Sequence, residues 1–253
     1  MKRNVLVRIL VFYLLAITIS NIFRFHLLGL DNLEKFVPDL LENLFGFLQA
    51  IGVFLGAALS LYWLKKERAA QYSLFGSSAK WSLILVFVPL ILLTILGIKN
   101  TGEINIHFYG MISAFATLIY CYFEEIGWRG YLHDELRYLK EWQRILITGF
   151  LWYFWHLSFL HDVGLLSNLI FFGMLTLGSW GLAKVVEHTK SVLAAASFHM
   201  LINVLIMNSV IRDGLTDREK LIFLGVSLPL FIFILIIWKK NHKRRIEKTR
   251  QST

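Results

Sequence analysis

The chain has 253 residues, of which 57% are hydrophobic and 17% are charged, and its formal net charge is +9. Soluble globular domains usually contain about 45–50% apolar and about 25% charged residues, so this composition excludes an ordinary soluble protein. The single cysteine, Cys121, excludes an internal disulfide framework. We therefore expect residues 1–253 to form one domain of an integral membrane protein.

Eight apolar stretches approach the length of about 20 residues that a helix needs to cross about 30 Å of hydrocarbon. The fifth stretch is short for a full crossing. Together they predict an all-α, polytopic membrane protein with about eight transmembrane helices. Their approximate bounds are 5–23, 40–64, 81–98, 106–128, 145–160, 167–187, 191–211 and 221–238.

The distribution of lysine and arginine predicts which ends of these spans face the cytosol. With the N-terminus inside, 20 of the 26 basic residues fall in cytosolic segments and six in outer loops. This difference predicts a protein of the cell membrane with both termini in the cytosol. Seven of the basic residues lie in the tail 239–253, directly after the last span, and we expect this tail to contact anionic lipid. No soluble basic face remains, so we expect no nucleic-acid partner.

Few strongly polar side chains fall inside the predicted spans, where such groups are costly and mark function by default. At 1.5 Å per residue, His156 lies about 16 Å, His199 about 12 Å and Asn203 about 18 Å along their helices from the cytosolic ends. Glu124 and Glu125 lie in the same half of the membrane, near the inner end of the fourth span. These side chains predict a common pocket open to the cytosol.

The two adjacent glutamates differ in the partner that the sequence offers them. Arg129 follows Glu125 by four residues, so it lies on the same helix face and can neutralise that carboxylate. Glu124 is rotated from Glu125 by about 100°. We therefore expect Glu124 to face His156 and the pair formed by His199 and Asn203.

This set of groups is sufficient for amide hydrolysis without a covalent nucleophile. A carboxylate and a nearby imidazole can polarise a water, and a second imidazole with a carboxamide can stabilise an oxyanion. The sequence has no HExxH helix, no G-x-S-x-G elbow and no pair of aspartates inside the predicted spans. Glutamate and histidine side chains can also ligate zinc. The sequence does not require a cofactor, and a zinc ion held by Glu124, His156 and His199 is the open alternative.

Three short motifs carry a resemblance to a known family. The stretches EEIGWR from Glu124, WYFWH from Trp152 and HMLIN from His199 resemble EExxxR, [F/W]xxxH and HxxxN. These are the motifs of the CAAX-protease and bacteriocin-processing (CPBP, or Abi) intramembrane endopeptidases. Each motif is weak alone, but all three occur in order on separate apolar spans. The resemblance implies a catalytic core over about 106–211 and a CAAX-prenyl-endopeptidase-like helical bundle.

The resemblance also implies a role for four of the residues. Glu124 would be the base that activates water, assisted by His156. His199 and Asn203 would form the oxyanion site. The reaction would be the hydrolysis of a peptide bond in a membrane-associated peptide or protein, near the cytosolic face.

Three further residues would support the site. Glu125 and Arg129 would hold the site or the substrate through their pairing, and Trp152 would pack beside His156. Members of the family are linked to different substrates, including prenylated CAAX proteins and bacteriocins.

Two other functions stay open at this point. A non-catalytic bacteriocin immunity factor or membrane scaffold could use the same pocket for binding, although it would not need to retain all four catalytic residues. A proton-coupled transporter could use the intramembrane glutamate and histidine as a relay. Transporters of this kind commonly contain paired interrupted spans in two halves, whereas Pro89 and Pro229 are isolated here.

Overall fold

The computed structural model of the protein describes residues 3–29, 38–63, 70–160, 164–206 and 208–251. Regular structure in these ranges is helical, and the β pairing consists of one isolated parallel bridge between Ser73 and Ser191. This bridge ties the loop before the third helix to the start of the seventh. The predicted all-α fold is therefore confirmed for the described part of the chain.

Each predicted span coincides with a helix. Apart from two three-residue helices, His133–Glu135 and Ser158–Leu160, the α-helices are α1 (Arg3–Arg24), α2 (Pro38–Trp63), α3 (Ala79–Leu96), α4 (Ile106–Glu125), α5 (Glu141–His156), α6 (Leu165–Thr189), α7 (Val192–Ile206), α8 (Ser209–Gly214) and α9 (Asp217–Gln251). A seven-residue π-helix, Ile126–Leu132, continues α4 directly, and α8 is a short helix at the end of the seventh predicted span.

Length and apolar composition together identify five candidate membrane crossings in the described residues. These are Asn4–Arg24, Ala79–Leu96, Ile106–Glu135, Leu165–Thr189 and Asp217–Asn241. Helices α2 and α7 contain shorter apolar stretches, and the 16 residues of α5 extend only about 24 Å. The protein is therefore a multi-pass membrane protein, in which five of the eight predicted spans meet both criteria.

The last helix is longer than a bilayer crossing requires. Helix α9 has 35 residues, which corresponds to about 52 Å. It continues past the predicted end of the span at residue 238 and includes most of the basic tail. The backbone of this tail is therefore helical as far as Gln251.

Small residues bring α1 and α2 close together. A Cβ atom added at Gly52 would lie 2.6 Å from the carbonyl oxygen of Ala16, and one at Gly56 would lie 2.7 Å from the carbonyl oxygen of Phe12. Glycines four residues apart on one face allow such backbone contact between helices in membranes. This packing fixes α1 against the bundle.

Ion pairs mark one end of the bundle, where α1, α5 and α7 begin and α6 ends. Arg8, Arg144 and Lys184 contribute the cations at this end, which we call the basic end. The pairs are Arg8–Glu135 at 3.0 Å, Arg144–Glu187 at 3.0 Å and Lys184–Glu141 at 2.7 Å.

Candidate active site

The polar residues predicted from the sequence come from three neighbouring elements. Glu124 and Glu125 are the last two residues of α4, and both are fully buried. Trp152 and His156 lie in the last turns of α5. His199 and Asn203 follow one another by one turn on α7, and each is 5% exposed. Arg129 lies in the π-helix that follows α4, and π-helical turns are frequent at functional sites.

Glu125 has two basic neighbours. Arg129 Nη1 donates a hydrogen bond of 2.8 Å to Glu125 Oε1, as the spacing of four residues predicts. His199 Nδ1 lies 2.9 Å from the same oxygen, although the ring is not aligned for a hydrogen bond. The expectation that His199 would meet Glu124 therefore differs from the structure, in which His199 lies against Glu125.

Glu124 is instead held by two tryptophans. Its Oε2 accepts hydrogen bonds from Trp152 Nε1 at 2.7 Å and from Trp128 Nε1 at 3.1 Å. The other oxygen, Oε1, is buried and makes no hydrogen bond within the described part of the chain.

Trp152 contacts residues from several elements of the candidate site. The guanidinium carbon of Arg129 lies 4.3 Å from the centre of its ring, which is cation–π geometry. The ring of His199 meets it at a right angle with centroids 5.3 Å apart, and the ring of His156 lies 5.8 Å away. The predicted packing beside His156 is therefore only one of the contacts of Trp152.

His156 lies in an aromatic environment. Its ring is 5.0 Å from that of Trp155 and 5.6 Å from that of Phe171, measured between centroids. Its Nε2 atom is buried and makes no hydrogen bond to a described residue. Unsatisfied buried polar atoms are rare in native proteins and call for an explanation. Glu124 Oε1 and His156 Nε2 are two of several such atoms in the site, together with Glu125 Oε2, Arg129 Nε and Nη2, and His199 Nδ1.

The sequence analysis did not identify three residues near Glu124. Trp128 follows Glu124 by four residues, so helical spacing alone could have found it. Tyr120 precedes Glu124 by four residues and interacts electrostatically with its carboxylate. Arg24 also interacts electrostatically with Glu124, but it lies at the end of α1. No local signal links Arg24 to the site.

The described residues do not fit a zinc ion. No group of three or more His, Cys, Asp and Glu side chains in the described ranges has an arrangement that could hold a metal. Within the predicted set, Glu124 Oε2 is already bonded to two indoles, and His199 faces Glu125. We derive no step through a metal.

Two comparisons with known proteins found similarity to CAAX prenyl endopeptidases. Residues 105–205, which contain all three motifs, match the family model described as type II CAAX prenyl endopeptidase Rce1-like. The CAAX prenyl protease 2 of Methanococcus maripaludis is 28% identical over 139 residues, which are 50% of this chain and 49% of that protein. The chain thus spans about half the length of the curated relative that it matches. Residues 105–205 of the chain are thus similar to the Rce1-like type II CAAX prenyl endopeptidases, and the three motifs lie within this region.

Proposed function

We propose that the protein is an intramembrane endopeptidase that hydrolyses a peptide bond of a membrane-associated substrate with water activated by Glu124. One observation carries the proposal. The carboxylate of Glu124 is buried, one oxygen is fixed by two indole N–H groups, and the other makes no hydrogen bond to a described residue. A fixed carboxylate with one available oxygen is suited to accept a proton from water.

His156 assists this base in the proposed mechanism. Its Nε2, like Glu124 Oε1, is buried and makes no hydrogen bond to a described residue. A water that contacts Glu124 Oε1 and His156 Nε2 would satisfy both atoms. As Glu124 takes a proton from this water, the water oxygen adds to the carbonyl carbon of the substrate. The protonated glutamate then delivers the proton to the amide nitrogen, and the C–N bond breaks to release the amine.

His199 and Asn203 stabilise the oxyanion that forms on the carbonyl oxygen. They share one face of α7 because they are four residues apart. The asparagine amide donates two N–H groups, and the imidazole donates from Nε2 when that nitrogen carries a proton. The Glu125–Arg129 pair lies against His199 Nδ1, and so it orients the ring from behind rather than reacting itself.

The basic end of the bundle supports a cytosolic location for the chemistry. The basic bias of 20 residues against six predicts that this end faces the cytosol. His199 is seven residues from the start of α7 at that end, which is about 10 Å at 1.5 Å per residue. We further propose that the helical basic tail contacts anionic lipid on the same side.

A cleavage assay with the purified protein tests this function. Wild type in lipid nanodiscs is given two membrane-tethered reporter peptides, one with a prenylated CAAX terminus and one acylated at its N-terminus. We choose both because the name of the archaeal relative, CAAX prenyl protease 2, refers to a prenylated substrate. We expect wild type to cleave at least one reporter.

Glu124→Gln keeps the size of the side chain but removes the base, so we expect kcat to fall about 10²–10⁴-fold. Glu103→Gln is the matched control because Glu103 lies in an exposed loop before α4, and its turnover should equal that of wild type. Retained turnover in folded Glu124→Gln would contradict the glutamate mechanism. No cleavage of either reporter by wild type would favour the binding or scaffold function.

A further inference from the structure

The C-terminal end of α5, which carries His156, contacts an arginine at the end of α1. Arg24 is the last residue of α1. Its Nη1 donates hydrogen bonds of 2.8 Å to the carbonyl oxygen of Trp155 and to Oδ1 of Asn21. The guanidinium carbon also lies 4.8 Å from the centre of the Trp155 ring. The contact therefore involves both the backbone and the side chain of the residue directly before His156.

The end of α5 needs such a partner. The last four carbonyl groups of a helix have no N–H partner within the helix. Helix α5 ends at His156 because Leu157 adopts a left-handed conformation with φ of 54°. Arg24 satisfies one of these carbonyls. A cation is also favourable at a helix C-terminus because of the helix dipole.

A second contact one turn earlier on α1 restrains the same residue. Trp155 Nε1 donates a hydrogen bond of 3.0 Å to Ser20 Oγ, and Ser20 Oγ donates one of 2.6 Å to the carbonyl oxygen of Gln49 on α2. Trp155 itself is fully buried. Both α1 contacts thus restrain Trp155, the residue directly before His156.

The charge of Arg24 reaches the site itself. Arg24 interacts electrostatically with the Glu124 carboxylate and with His156.

We propose that Arg24 is a positioning residue, which fixes His156 by capping the end of α5. The catalytic part of this inference rests on the proposed endopeptidase function. It gives α1 a role in the site, although α1 contributes none of the three motifs.

The test compares two variants of Arg24 with a matched variant of Arg8. Arg24→Met keeps the length of the side chain and removes its donors and charge. Arg24→Lys keeps the charge and one donor group. Arg8→Met is the control because Arg8 is on the same helix but pairs with Glu135 at the basic end. Each protein is assayed for kcat, KM and melting temperature, and for hydrogen exchange of the amides 152–157.

We expect Arg24→Met to lower kcat by about tenfold or more, because small displacements of a catalytic group have large effects on rate. KM should stay within about twofold, amides 152–157 should exchange faster, and Arg24→Lys should recover part of kcat. In Arg8→Met, kcat and the exchange of these amides should match wild type.

Unchanged kcat in Arg24→Met, or an equal fall in Arg8→Met, would overturn the inference. If wild type cleaves no peptide, the proposed function fails. The exchange measurement then tests by itself whether Arg24 holds the end of α5 in place. Faster exchange of amides 152–157 in Arg24→Met alone would support this role, and unchanged exchange would overturn it.

Discussion

Trp152 Nε1 donates a hydrogen bond of 2.7 Å to Oε2 of Glu124, although the two residues are 28 positions apart. This contact joins α4 to α5 inside the site. The same indole lies against Arg129 and against the rings of both site histidines. A substitution at Trp152 should therefore alter the positions of all of these groups. Trp152 is therefore more than a packing neighbour of His156.

Replacement of Trp152 by phenylalanine tests this arrangement. Trp152→Phe keeps an aromatic ring but removes the N–H group, so Glu124 Oε2 retains only the longer bond from Trp128. Loss of a hydrogen bond to a charged buried group costs about 1.5–3 kcal/mol, and we expect kcat to fall about 10–100-fold. The measurement is kcat on the peptide that wild type cleaves. Trp142→Phe is the control, since Trp142 is 58% exposed at the start of α5, and equal effects of the two changes would contradict the prediction.

Removal of Arg129 should destabilise the protein as well as inactivate it. Arg129→Ala leaves the fully buried Glu125 carboxylate without its cation, and breaking a buried pair in this way costs about 3–5 kcal/mol. Arg129→Lys should rescue only in part, because an ammonium group lacks the planar fork that lies over Trp152. Folded yield and melting temperature after detergent solubilisation give the result.

Arg137→Ala serves as the control for this experiment, since Arg137 pairs with Asp134 outside the site. A melting temperature of Arg129→Ala equal to that of wild type would show that Arg129 has no structural role.

Chelation distinguishes the metal-free glutamate mechanism from a zinc-dependent one, which the sequence left open. The described residues do not converge on a metal, so we expect wild-type turnover to persist after incubation with a strong chelator and dialysis. Metal analysis of the purified protein should accompany the assay. Loss of turnover that zinc restores would instead assign Glu124, His156 and His199 to a metal site.

The orientation in the membrane is open to a direct test. The basic end contains Arg8, Arg144 and Lys184, and the bias of basic residues predicts that it faces the cytosol. Reporter fusions after Arg144 and after Lys243 should report a cytosolic location, whereas a fusion after Asn100 should report an external one. An external signal after Arg144 would place the site on the other side of the membrane.

The sequence by itself determined the helices and the local pairs within them. Apolar stretches of about 20 residues form helices in a membrane because every backbone group must be satisfied internally. Contacts between residues four apart, such as Arg129 with Glu125, then follow from helix geometry alone. The three motifs also indicated the set of residues that form the site.

Only the tertiary structure decided which side chains meet across helices. Neighbouring residues on a helix differ by about 100° in direction, so the rotation of α4 against α7 determines that His199 lies beside Glu125 rather than Glu124. The contacts of Trp152 with Glu124 and of Arg24 with the Trp155 carbonyl join residues 28 and 131 positions apart. Such contacts depend on how closely α1, α4 and α5 pack and on how far each helix is shifted along the membrane normal. Hydropathy and spacing within one helix contain no information on either quantity.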